Sequence, residues 1–353
     1  MTSDQAVAEL RLMLEDLPAQ DPIHQPTSFW ATAAKELLSD FETHGIETFR
    51  CLPSSSVFFV PTYGSPGNSI RAEHRDLLQE RLHEEVAPDS KPALTLERML
   101  SGQQWAEADY RVYLAGNQSS QNPKLDTVSE SVTGGPLEHF CFGGRQFSRS
   151  LLNYLNAFVF LKQHVDTSSI RSVLEVGGGF GTLGEILAAE KQDYAYTDID
   201  IPPTSAVASY YLGNLVGGVA RPYSQTRELT RISAAAPGER LVLCPWQLPQ
   251  LEGSCDLLVN SISFQEMEPD VVRNYCREAI RLGVRYVLLR NIREGKALKS
   301  DTRPYGVETP IKTDDYLDFF PGFRRIATNV DPYGYRTVDG FHSELQILVR
   351  EEA

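Results

Sequence analysis

The chain has 353 residues, with 33 basic against 47 acidic side chains and a formal charge of −14. That length suits one catalytic core with an accessory part, and core size is not limiting. The acidic balance, without any Lys/Arg-rich run, argues against a phosphate-backbone partner, so no nucleic acid is expected. Five cysteines, Cys51, Cys141, Cys244, Cys255 and Cys276, are scattered without C-x-x-C spacing and read as idle thiols of a reducing compartment. The first residues lack the basic and apolar regions of a secretory signal, and no run approaches ~20 apolar residues, so a cytoplasmic protein without membrane contact is expected.

Periodicity predicts helices over 4–17 and 28–44, the second carrying Phe29, Trp30, Ala33, Leu37, Leu38 and Phe41 at helical spacing before a stop at Gly45. A short apolar run, Val57 to Val60, is closed by Pro61 and a turn from Tyr63 to Asn68. Helical patterns return over 71–87 and 94–114. From Ala115 to Pro136 the composition shifts to Gly, Ser, Asn, Gln and Thr, a loop of a length that often forms a lid or binding loop. Ser148 can cap a helix that runs to about His164 with a broad apolar face. From Arg171 onward strands and helices alternate, which predicts a parallel sheet. Strands are expected at 172–176, 194–199, 241–243, 256–260, 285–290 and 344–349, with another near 323–328. The division is thus a mainly helical N-terminal part, 1–147, for substrate binding and closure, followed by an α/β domain, 148–353.

The densest signal is Ser172-Val-Leu-Glu175-Val-Gly177-Gly-Gly179-Phe-Gly181-Thr-Leu-Gly184. An apolar strand enters a glycine turn and a helix opens near Thr182, which builds a nucleotide-type pocket at a strand's carboxyl end. Gly179, Gly181 and Gly184 fit G-x-G-x-x-G, so a dinucleotide fold has to be weighed. Glu175 argues against it, because a carboxylate under the turn repels a pyrophosphate but suits a cationic cofactor such as S-adenosylmethionine. About twenty residues on, a second strand ends in Asp198-Ile-Asp200-Ile-Pro202. An acid there can accept both hydroxyls of a nucleoside ribose, with Asp200 the first choice and Asp198 the second.

Further groups crowd later strand ends. Trp246, after the strand at 241–243, lies where an adenine ring could rest, with core packing an equal alternative. Asn260 and Ser261 could meet the cofactor's methionine part, and Gln265 and Glu266 would face the substrate. Glu266 is a candidate general base; equally, it could be an acid at a helix N-terminus. His139, beside the glycine-rich loop, and His342, entering the last strand, are the histidine alternatives. No spacing requires a metal, although Asp198, Asp200 or Asp256 could hold a magnesium ion.

The chain resembles the sugar O-methyltransferase family found beside deoxysugar and natural-product glycosylation genes, within the class I S-adenosylmethionine-dependent methyltransferases. The resemblance rests on Phe29-Trp30 with Gly45–Arg50, Ser129–Ser131 with Gly135-Pro136, Leu174–Gly181, Asp200–Pro202 with Ser209–Leu212, and Asn260-Ser-Ile-Ser-Phe-Gln-Glu-Met267 with Val271 and Tyr275. It implies a Rossmann-like class I methyltransferase sheet that ends in an inserted antiparallel strand. It also implies S-adenosylmethionine as cofactor, bound by Glu175, Gly177, Gly179, Gly181, Asp198 or Asp200, Trp246, Asn260 and Ser261. The expected partner is a small-molecule acceptor, a sugar hydroxyl on a nucleotide sugar or glycosylated metabolite, with a homo-oligomer a further possibility. A non-sugar acceptor, or a cofactor-binding scaffold or elimination catalyst that transfers no methyl group, are the alternatives. The pair Asp198-Ile-Asp200 departs from the single acid usual before the proline and leaves the ribose ligand open between them.

Overall fold

A computed structural model describes residues 1–52, 54, 59, 72–189, 194–215, 218, 221–300, 306–337 and 340–351. Most of the apolar run at Val57–Val60, the turn at Tyr63–Asn68 and the side chain of Phe29 lie outside the described residues. The helices α1 (Ser3–Asp16), α2 (Ser28–His44), α3 (Ala72–Glu85), α4 (Lys91–Leu100) and α5 (Gln103–Gly116) precede a hairpin, β1 (Phe140–Phe142) and β2 (Arg145–Phe147). Helix α6 (Arg149–His164) leads to β3 (Ser172–Val176), α7 (Thr182–Ala188), β4 (Ala195–Ile199), α8 (Thr204–Gly213) and α9 (Tyr223–Thr226). The chain continues through β5 (Ile232–Ser233), β6 (Arg240–Leu243), β7 (Leu251–Glu252), β8 (Leu257–Ser261), α10 (Pro269–Arg281) and β9 (Tyr286–Ile292). It ends with α11 (Asp315–Phe319), β10 (Phe323–Asn329), β11 (Tyr335–Arg336) and β12 (His342–Arg350).

Local chemistry accounts for the helix ends. Thr2 and Gln5 form a reciprocal capping box on α1, and the Ser148 side chain accepts from the Leu151 N–H to start α6. The helix expected over 94–114 is two helices, because Gly102 takes φ +81° and breaks the pattern between α4 and α5.

The main sheet has the order β10-β12-β9-β8-β3-β4-β6, with β11 paired to β12. Strands β3, β4, β6, β8 and β9 are parallel, whereas β12 runs antiparallel between β9 and β10. This is an open, Rossmann-like α/β sheet, with an inserted antiparallel strand in the expected place. The chain leaves β3 toward β4 and β6, then returns to β8 on the other side. The crevice between the carboxyl ends of β3 and β8 is therefore the topological switch point, where open α/β sheets bind ligands.

One face of the sheet shares a continuous apolar core with the N-terminal helices. Ala6, Leu10 and Met13 of α1 belong to the same cluster as Val173, Tyr196 and Val242. Polar bonds reinforce the join, with Asp16 accepting from Tyr223 Oη (2.6 Å) and from the Arg227 guanidinium (2.7 and 3.0 Å). The segment after α5 is packed as well: Leu125 and Val128 are fully buried, and Gln121 Oε1 accepts from the Thr167 N–H at 2.9 Å. On the other face α10 and α11 cover Leu174, Val176, Leu258 and Leu289. Among the described residues, no helix is long and apolar enough to cross a membrane.

Candidate active site

The glycine turn lies at the C-terminal end of β3. Gly177, Gly179 and Gly181 have φ of +72°, +64° and +100°, a region that costs other L-residues roughly 1–2 kcal/mol. Gly178 is required for space, since a Cβ there would lie 2.6 Å from Asp198 Oδ1. Gly179 differs: a Cβ there would meet nothing within 4 Å, so its outer side is open to a ligand.

The turn's two central N–H groups are already bound by acids, while Gly177 and Gly181 N–H donate to the Ile199 and Gly178 carbonyls. Gly178 N–H donates to Asp198 Oδ1 at 3.1 Å, and Gly179 N–H to Asp200 Oδ2 at 2.9 Å. Asp200 Oδ1 also accepts from the Ile201 N–H at 2.7 Å. Behind them Glu175 is fully buried and accepts from Tyr154 Oη (2.7 Å) and from Tyr196 Oη. Burial pushes all three carboxyls up. Glu175 reaches about 7 although both tyrosines pull it back, and Asp200 reaches about 7 against the two N–H donors. Asp198 is also held well above the usual carboxylate range, by burial and then by the charges of Asp200 and Glu175. Its Oδ2 has no hydrogen-bond partner among the described residues.

This cradle does not fit a pyrophosphate, which would meet occupied donors and three acids. It fits a ligand with hydroxyl donors and positive charge, the chemistry of the ribose and the methionine end of S-adenosylmethionine. Asp200 lines a narrow pocket with Gly177, Ser263 and Tyr275, roofed by Thr27 and Trp30 of the N-terminal segment. Thr27 Oγ1 donates to the Glu266 carbonyl at 3.0 Å and fastens that roof to the 3-10 turn that follows β8.

Asn260 is a brace across the crevice. Its amide donates to the Val176 carbonyl at 2.9 Å, while its Oδ1 accepts from the Phe264 N–H (3.2 Å) and from Asn291 Nδ2 (3.1 Å). Ile262 follows at φ +78°, a strained conformation for a β-branched residue and one that marks functional turns. Ser261 stands in register beside Arg290. Gln265, expected at the substrate, instead accepts from the Ile292 N–H at 2.6 Å and binds β8 to β9, because the 3-10 turn after Ile262 points it across the sheet edge.

The three candidate bases stand on separate elements with separate partners. Glu266 is buried in an ion pair with Lys296 at 2.9 Å. His139 Nε2 lies 3.7 Å from Glu130, and burial lowers its pKa while the Glu130 charge raises it. His342 opens β12, with Nδ1 2.6 Å from Glu294. Trp246 is buried, its Nε1 donating to Tyr223 Oη at 3.2 Å. Asp256 cannot share an ion with Asp198 and Asp200, because it accepts from the Arg171 and Ser172 N–H groups (2.8 and 3.0 Å) at the opposite end of β3. Sequence reasoning did not single out Tyr154 and Tyr196, which hold Glu175, or Arg149 and Arg290. Their signal was polarity inside stretches otherwise read as apolar core.

The chain matches no protein-family model and no curated protein. Among solved structures it is similar to magnesium protoporphyrin IX methyltransferase from Synechocystis with bound SAH, at 13% identity over 73% of this chain and 99% of that one, TM-score 0.37. It is also similar to an S-adenosylmethionine-dependent methyltransferase from Clostridium acetobutylicum, at 10% identity over 56% and 91% of the two chains, TM-score 0.36. A glycopeptide N-methyltransferase complexed with sinefungin matches at 13% identity over 56% and 85%, TM-score 0.34. These likenesses are distant, and the fold is assigned by the strand order itself.

Proposed function

We propose that this protein is an S-adenosylmethionine-dependent methyltransferase acting on a sugar hydroxyl. The observation that carries the cofactor is the glycine turn whose two central N–H groups are bound by Asp198 and Asp200, with Glu175 buried behind them. When bound, S-adenosylmethionine supplies an electrophilic methyl group. Asp200 and the unpartnered Oδ2 of Asp198 accept from the ribose hydroxyls, and Gly179 lets the ligand lie against the backbone. Glu175 adds negative potential on the side of the ammonium and sulfonium groups. Asn260 and Ser263 hold the two strand ends at a fixed spacing, and Thr27 and Trp30 exclude water from above.

The sugar acceptor is what the Asn260–Met267 run and the accompanying segments imply by resemblance. Glu266 is the proposed base, since its backbone is tied to Thr27 at the pocket roof and Lys296 keeps its carboxylate in one orientation. Residues 1–147 then close over the pocket on the acceptor side, and 148–353 supply the cofactor cradle together with the groups that reach the acceptor.

The test is calorimetric titration with S-adenosylhomocysteine, with NAD as control, followed by transfer of labelled methyl groups to sugar and non-sugar acceptors. Binding of S-adenosylhomocysteine alone with label on a sugar supports the reading. Preference for NAD overturns the cofactor. Cofactor binding without transfer to any sugar leaves the fold's cofactor and removes the sugar acceptor.

A further inference from the structure

Beyond Tyr154 lies a second buried polar cluster that the cofactor does not use. Arg290 stands at the carboxyl end of β9, in register with Ser261 and only 1% exposed. Its Nη2 donates to the carbonyls of Asn153 and Tyr333, both at 2.9 Å, and its guanidinium lies 5.8 Å from the Tyr335 ring centre, whereas Nε and Nη1 have no acceptor among the described residues. Arg149 begins α6, one helical turn before Asn153, and is 3% exposed. Its Nε donates to Asp109 Oδ2 at 2.9 Å, and its Nη1 has no acceptor among the described residues.

Two buried guanidinium groups thus lie within electrostatic reach of each other, with three N–H-bearing nitrogens lacking an acceptor among the described residues. Glu138 acts on Arg149 through its charge, yet among the described residues it forms no ion pair with either arginine. The residue after Asn153 in α6, Tyr154, reaches Glu175 in the cofactor cradle at 2.7 Å. Residues 149–154 therefore carry both clusters on one rigid element at the C-terminal edge of the sheet.

A buried donor without an acceptor costs ~1–3 kcal/mol, and more when charged. If the two carbonyl contacts of Arg290 were its whole purpose, a neutral donor would serve without burying a charge. The planar guanidinium fork is matched to the paired oxygens of a carboxylate or phosphoryl group.

We propose that Arg149 and Arg290 together bind an oxyanion, phosphoryl or carboxylate, carried by the acceptor, so that the acceptor is an acidic sugar derivative. That the oxyanion belongs to a methyl acceptor rests on the methyltransferase reading; the anion site itself does not.

The experiment titrates the intact protein, saturated with S-adenosylhomocysteine, with inorganic pyrophosphate, with glucuronate, and with methyl glucoside as neutral control. One or both anions are expected to bind and the neutral sugar not; which anion binds identifies phosphoryl or carboxylate as the source. Arg149→Lys and Arg290→Lys keep the charge but lose the fork, and each is expected to weaken anion binding by about tenfold or more. Arg290→Met is expected to abolish it with Tm unchanged or raised, because a buried charge with open donors is removed. Failure of both anions to bind, binding untouched by either lysine variant, or binding retained by Arg290→Met overturns the proposal. Binding of S-adenosylhomocysteine without binding of anions removes this site alone. Anion binding by a protein that ignores S-adenosylhomocysteine removes the methyltransferase reading and keeps the site.

Discussion

Replacing Asp200 by asparagine separates its part in the fold from its part in the site. The carboxylate accepts from Gly179 N–H at 2.9 Å and Ile201 N–H at 2.7 Å, and it sits in a cluster with Asp198 and Glu175. Asparagine keeps the shape and one acceptor oxygen, but its amide group then confronts one of those N–H donors. The loss is one hydrogen bond to a charged group, ~1.5–3 kcal/mol, offset by relief of the repulsion among three buried acids. Tm of the free protein should therefore move by only a few degrees. The ligand has no such offset: losing an ionised acceptor for a ribose hydroxyl costs the same ~1.5–3 kcal/mol, which weakens Kd by roughly tenfold to 150-fold. The assay is calorimetry with S-adenosylhomocysteine at pH 8 and pH 6. Burial pushes the Asp200 carboxyl up to about 7, so in the wild type the ionised, ligand-binding form declines between those two pH values. Wild-type affinity should fall at pH 6, with protons released on binding, and Asp200→Asn should flatten that dependence. An Asp200→Asn protein that binds with wild-type affinity and wild-type pH dependence would refute the reasoning.

Four further outcomes are expected. Gly178→Ala places a Cβ 2.6 Å from Asp198 Oδ1 and should cost ~1–3 kcal/mol of stability by overpacking, with binding of S-adenosylhomocysteine lost alongside, as thermal unfolding and calorimetry will read. Arg50→Met leaves Glu130, buried and 2.7 Å from the lost guanidinium, with hydrogen bonds from Ser148 and the His139 ring 3.7 Å away; a loss of ~3–5 kcal/mol is expected by urea unfolding. Glu266→Gln should cut methyl transfer while leaving affinity for S-adenosylhomocysteine nearly intact, and an unchanged rate in single-turnover assays would remove Glu266 from the chemistry. Finally, Glu138, Glu175 and Glu185 are each pushed by burial from 4.5 to about 7. The folded state then binds their protons more tightly than the unfolded state, so the stabilisation is complete below about 4.5 and is lost as pH rises through 7. Thermal scans should show Tm falling from pH 5 to pH 8.

The parallel sheet was legible because strands buried on both faces read as short apolar runs between helices, and the last one, Glu344–Arg350, fell where an antiparallel insertion was expected. The glycine turn and its acids were legible for the same reason that they are chemically unusual: carboxylates beside glycines cannot be explained by packing. What stayed hidden depends on register and fold. Nothing local links Tyr154 and Tyr196 to Glu175; one comes from α6 and the other from the strand paired with β3. Arg290 sits in Val-Leu-Leu-Arg-Asn-Ile, where the apolar run masks it until pairing with β8 sets it beside Ser261. The loop read from its polar composition over 115–136 is anchored by two apolar residues, Leu125 and Val128, which composition cannot weigh against thirteen polar ones. Gly102 was missed because one glycine within a helical pattern is tolerated often enough to carry little signal.

Helix α6 joins these observations into one physical argument. Along it, Arg149, Asn153 and Asn156 are as buried as the leucines between them, which costs free energy that packing alone does not return. Arg149 and Asn156 donate to Asp109 of α5, the Asn153 carbonyl accepts from Arg290 of β9, and Tyr154 donates to Glu175 of β3. A cation held by the acids and an anion held by the arginines would be drawn to neighbouring places from opposite electrostatic directions. Charges that hold a ligand equally in its ground and transition states raise affinity and leave the chemical step unchanged. Asp200 contacts the part of the cofactor site that lies along the glycine turn, so its loss should appear in Kd and KM and barely in kcat. The arginines should divide the same way for the acceptor. A fall in kcat at saturating cofactor in Asp200→Asn would instead mean that the acid fixes the reacting groups in place, and that the turn is part of the chemistry and not only of the binding.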